Sequence, residues 1–93
     1  MSKQDNRHIE DLWLIAFGDS VSDLRESLGM TQQELADLSG VNRTYISDIE
    51  RGRRNITLTT MKRLAAALKI EAFDLLKTAD RKAKSASFQR RVG

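Results

Sequence analysis

The chain has 93 residues, with 16 Lys or Arg against 13 Asp or Glu, and 40% of it is hydrophobic, so it suits one small domain with a compact core. It contains no Cys and no Pro, which excludes a disulfide framework and a cysteine-ligated zinc site and removes the punctuation common in all-β folds. The longest apolar run, residues 12–17, is far below the ~20 residues of a membrane helix, and no basic-then-apolar secretion signal opens the chain, so the expectation is a cytoplasmic protein with no membrane partner.

Residues 1–8 are polar and are expected to fray. From Ile9 the apolar spacing becomes helical: Ile9, Leu12, Trp13 and Ala16 follow the i, i+3, i+4, i+7 pattern, and Phe17, Val21, Leu24 and Leu28 continue it. Gly18 is a candidate break into two helices, and Gly29 is a C-terminal stop. Thr31 and Glu34 form a capping box that starts a short helix running to about Ser39. Gly40 permits a left-handed turn, and Asn42 caps a second short helix over residues 43–51, closed by Gly52. After a basic loop, Thr57 caps a helix with Met61, Leu64, Ala65 and Leu68 on one face. A last helix is placed at about residues 71–77. Residues 78–93 are polar and basic, with only Phe88 and Val92 as sizeable apolar residues, and read as a flexible tail. No stretch alternates with period two, so the class is all-α, with the folded domain over residues 9–77.

Charge is unevenly distributed. Residues 1–42 carry three bases against eight acids, a net of −5, whereas residues 43–69 carry seven bases against two acids, a net of +5. Residues 78–93 add five bases against one acid, a net of +4. A basic block of this kind points to a polyanionic partner, although solvated faces carry such blocks too.

The informative stretch is residues 32–51. Ala36 is small where two helices cross, Gly40 makes the turn, and Val41, Ile46 and Ile49 point back to a shared core, which is the helix-turn-helix pattern. With about 100° per residue and Arg43 at zero, Ser47, Arg51, Thr44 and Asp48 fall between about 40° and 140°, with Tyr45 near 200° and Ile49 and Ile46 near 240° and 300°. The polar arc suits a major groove: Arg reads guanine, Thr touches a thymine methyl and Asp accepts from cytosine. Candidate base-reading residues on this arc are therefore Arg43, Thr44, Ser47 and Asp48, with Tyr45 at its border. The helix start after Thr31, with Gln32 and Gln33, offers donors to a phosphate, as do Asn42, Arg51, Arg53, Arg54, Asn55 and Thr57 around the second helix.

The stretch from Leu24 to Leu76 resembles the lambda-repressor-like, Xre-type helix-turn-helix family. Within it, LRESLGMTQQELADLSGVNRTYISDIERGRRNITLTTMKRLAAAL is similar to controller proteins of restriction–modification systems, above all in Arg43-Thr44-Tyr45-Ile46-Ser47, Ile49-Glu50-Arg51 and Arg54-Asn55. The resemblance implies a five-helix bundle that acts as a homodimer on a near-palindromic DNA operator. It implies base or adjoining backbone contacts for Arg43, Thr44 and Tyr45, and phosphate contacts for Arg51, Arg54, Asn55 and Thr57. It also implies an ion pair between Arg25 and Glu50. The N-terminal helical residues, including Trp13 and Leu14, and the basic tail are additions to that pattern.

A dimer surface is expected from Ile70, Phe73 and Leu76, or from the added N-terminal residues. Glu34 and Asp37 are candidate contacts to RNA polymerase in an activator, or simply exposed acids. Catalysis has little support: His8 is the only histidine, no Gly-rich phosphate loop occurs, and Asp19 and Asp23 share one helix face that reads as solvated. No cofactor or metal is expected. Rival roles are a phage, plasmid or toxin–antitoxin repressor with the same module, and a helical protein-binding adaptor.

Overall fold

A computed structural model describes the backbone of residues 3–92 and the side chains of residues 11–92. Those residues form six helices and no strand: α1 (Lys3–Ser27), α2 (Gln32–Ser39), α3 (Arg43–Glu50), α4 (Leu58–Ala67), α5 (Ala72–Ala83) and α6 (Ala86–Val92). Local chemistry sets three of the starts. Thr31 Oγ1 accepts from the Glu34 N–H while the Glu34 carboxylate accepts from the Thr31 N–H, closing the capping box of α2. Asn42 Oδ1 accepts from the Thr44 N–H and caps α3, and Thr57 Oγ1 accepts from the Thr60 N–H and caps α4. Gly40 ends α2 at φ 73°, a left-handed turn that a side chain would strain.

The main core joins α1 to α5: Phe17, Val21, Leu35, Ile46, Ile49, Met61, Leu64, Leu68 and Leu75 are all buried. Gly18 does not break α1, which is one helix starting at Lys3 rather than near Ile9. The glycine marks instead a close crossing, because a Cβ there would lie 2.0 Å from the Ile49 carbonyl oxygen at the end of α3. The expected frayed stretch at residues 1–8 thus enters this helix from Lys3 onward, with residues 1 and 2 and the side chain of His8 outside the described residues.

The larger correction lies at the other end. The segment after Lys77 is no flexible tail: α5 continues to Ala83, and α6 follows a short turn. Phe88 is buried with Ala16 and Ala83 in a second, smaller cluster, edged by Leu12, Ile15 and Val92. Seven residues of helix hold little by themselves, so α6 exists by docking its aromatic ring onto α1. The bundle therefore has one helix more than the five implied by the family pattern.

Candidate nucleic-acid interface

The ends of α1, α2 and α3 are tied together at one carboxylate. Arg25 Nε and Nη2 donate to the two oxygens of Glu50 at 2.7 and 3.1 Å, and Gln32 Nε2 donates to Glu50 Oε1 at 2.9 Å. Arg25 Nη1 donates to the Met30 carbonyl at 2.7 Å, so the turn between α1 and α2 joins the same network. The side chains of Arg25 and Glu50 are 12% and 6% exposed, and a fork-to-carboxylate pair this dry is strongly orienting. The hydrogen bonds to Glu50 outweigh desolvation and raise the Arg25 pKa above its ordinary value, so the cation is permanent.

This network fixes the tilt of α3 from the inside and leaves its outer arc free. Ile46 and Ile49 face the core, whereas Arg43 and Thr44 are exposed and Ser47 and Asp48 are half-buried. Arg51, with helical backbone angles, is the C-cap of α3 rather than its last residue. Arg51, Arg53, Arg54 and Asn55 are all exposed on the loop that follows. Tyr45 is half-buried; its hydroxyl donates to the Asn55 carbonyl at 3.3 Å and its ring lies under the Arg54 guanidinium, 4.9 Å from ring centre to Cζ. Arg54 Nε also lies 3.5 Å from Asp48 Oδ2.

Several expected contact residues have internal partners. Gln32 departs from the expected outward donor, because its amide turns onto Glu50; Gln33 is exposed and donates to Asp37 Oδ1 at 2.9 Å. Asn42 and Thr57 use their side-chain oxygens as caps. Ile70 packs against the main core, unlike Phe73 and Leu76, which are exposed. Asp19 and Asp23 are not simply solvated: Lys82 Nζ donates to Asp19 Oδ2 at 2.7 Å and to Asp23 Oδ2 at 2.6 Å, clipping α5 to α1.

The two expected dimer surfaces meet, and one residue that the sequence did not single out, Leu58, lies beside them. Trp13 lines the same apolar groove as Phe73 and Leu76, and Leu58 at the start of α4 is 76% exposed beside Trp13 and Leu76. Leu58 follows directly on the Thr57 cap, which fixes the first turn of α4, and that adjacency is the available sequence signal.

A short helix turned outward by a left-handed glycine, its inner face fused into the core and its outer face polar, defines a helix-turn-helix protein. The helix-turn-helix family profile matches residues 21–75, and the chain belongs to that family of transcription regulators. Control protein C.BamHI of Bacillus amyloliquefaciens is 43% identical over 63 residues, which cover 67% of this chain and 78% of that protein. The restriction–modification controller protein C.AhdI of Aeromonas hydrophila superposes with a TM-score of 0.65 at 44% identity, over 67% of this chain and 94% of its own. The controller protein C.Esp1396I, solved as a tetramer in complex with its natural 35 base-pair operator, superposes at 0.72 with 29% identity, over 78% of this chain and 96% of its own.

Proposed function

We propose that this chain is a restriction–modification controller protein: a cytoplasmic, non-catalytic regulator that binds double-stranded DNA as a homodimer on a near-palindromic operator. The observation that carries this reading is the outer arc of α3, where Arg43 and Thr44 are exposed and Ser47 half-exposed behind the Gly40 turn. The similarity to C.BamHI and C.AhdI supports the controller role, and the operator complex of C.Esp1396I supports DNA as partner. Each subunit would set α3 in a major groove, with half-site centres about one helical turn apart, ~34 Å. Arg43, Thr44, Tyr45 and Ser47 are the candidates for bases or adjoining backbone, and Gln33, Arg51, Arg53, Arg54 and Asn55 for phosphates.

One helix of eight residues meets too few base pairs to discriminate well, so a second copy is required. Its surface would be Phe73 and Leu76, joined by Trp13 and Leu58. Exposed Glu34 and Asp37 would be the contact to RNA polymerase if the protein activates.

A genome-fragment binding selection tests the proposal by returning the operator, its symmetry and its spacing together. Arg43→Ala is expected to weaken operator binding by roughly 1–3 kcal/mol and to relax preference at one base pair. Competition binding with all four bases at that position measures this, and an unchanged preference would defeat the assignment.

A further inference from the structure

Between Gly40 and Thr57 the sequence holds two acids, Glu50 and Asp48. Glu50 is consumed inside the bundle by Arg25 and Gln32. Asp48 is different: it stands on the α3 arc with Ser47 and Arg43, and its side chain is 29% exposed. A carboxylate on a face meant for a polyanion repels every phosphate, whatever the base sequence. Among the described residues its one close cation is Arg54, at 3.5 Å. Arg54 also stacks on Tyr45, whose hydroxyl is fastened to the Asn55 carbonyl, so the guanidinium is held from two sides against α3.

We infer that Asp48 is an affinity-setting residue that acts through Arg54: it stands in for a phosphate and has to be displaced before Arg54 can meet DNA. This rests on the DNA-binding reading above and deepens it. On a duplex of arbitrary sequence, α3 rides shallowly and Arg54 stays on Asp48. On the operator, base contacts draw the backbone close enough for a phosphate oxygen to replace the carboxylate. Asp48 thus removes one cation from shallow complexes, and the broken pair counts against operator affinity. The pair is partly exposed, so the exchange is within reach of ordinary thermal motion.

The test is fluorescence-anisotropy titration of the full chain on its selected operator and on a scrambled duplex of equal length, over a range of salt. Asp48→Asn keeps the shape and removes the charge. It is expected to tighten binding to the scrambled duplex roughly three- to tenfold, and to steepen log K against log salt by about one contact. Operator affinity should gain at least as much, because only the operator complex of the unaltered chain has to break the pair, so selectivity does not fall. The gain should vanish in the Asp48→Asn/Arg54→Ala double variant. Arg54→Ala alone should cost more on the operator than on the scrambled duplex, a measurement independent of how the Asn variant folds. An unmoved scrambled affinity in Asp48→Asn, or a gain that persists without Arg54, overturns the inference. So does a changed base preference in Asp48→Asn, which would make Asp48 a reader of cytosine. In each of those cases operator selection by the unaltered chain leaves the proposed function standing; failure of the unaltered chain to bind any DNA overturns both.

Discussion

Two charged junctions meet on α1, and they are built differently. Arg25 on α1 reaches Glu50 at the end of α3 in a pair almost sealed from water, with its remaining donor satisfied by Met30. Lys82 on α5 reaches back to Asp19 and Asp23 at similar distances, but Lys82 remains 21% exposed and Asp23 63%. The first junction determines how α3 is presented, and breaking it strands a charge in a dry site. The second only fastens a seam that water already wets. Around Lys82 the structural burden falls on Phe88, which is 4% exposed against Ala16 and Ala83.

The contrast can be broken at its strong end first. Arg25→Ala is expected to cost about 3–5 kcal/mol, because it leaves Glu50 buried without its cation. Urea denaturation measures it, and a loss below 1 kcal/mol would make the two junctions equivalent. Phe88→Ala should cost about 3 kcal/mol of α6 docking, the lower end for a buried phenylalanine, because its cluster is small. Hydrogen exchange should then show α6 unprotected while residues 21–75 keep their protection.

Lys82→Ala is the smallest effect, under about 1 kcal/mol and weaker at high salt. Burial pulls the Lys82 pKa down, but the hydrogen bonds to Asp19 and Asp23 outweigh it and the net shift is upward. A raised folded-state value means that the contribution is whole below the ordinary lysine value of about 10.4 and is lost as pH rises through the folded one. Thermal unfolding of both proteins at pH 7 and pH 11 should show the difference between them shrinking at the higher pH.

The same contrast explains what the sequence disclosed. Helices α2, α3 and α4 were legible because their starts are written in neighbouring residues: Thr31 with Glu34, Asn42 with Thr44, Thr57 with Thr60. Gly18 misled because its role is tertiary; helix propensity speaks against a mid-helix glycine, while the approach of Ile49 requires one. The C-terminal end was hidden by its polar composition. Leu75, Ala79 and Ala83 recur every four residues straight through the expected helix end, and Phe88 and Val92 repeat that step, but their partners lie some seventy residues earlier in α1. Ile70 was misplaced for a different reason. Lys69 takes a left-handed φ of 61° that its residue type does not advertise, and the turn tucks Ile70 inward. In the candidate site, the residue types on the outer arc of α3 were readable, whereas the inward swing of Gln32 and the hold of Asp48 on Arg54 depend on distances no linear pattern contains.

The continuity of α1 through Gly18 fixes an angular phase. Asp19 and Asp23 address Lys82 on one flank, and Arg25 addresses Glu50 on another, all on a single uninterrupted rod. Adding or deleting one residue between Asp23 and Arg25 would change the angle between the two flanks by about 100°. A change of about seven residues, two full turns, would restore the angle but move one flank about 10 Å along the axis, out of reach of its partner. The length of α1 between its two charged flanks is therefore constrained, and the turn that follows it is no freer, because Arg25 also holds the Met30 carbonyl.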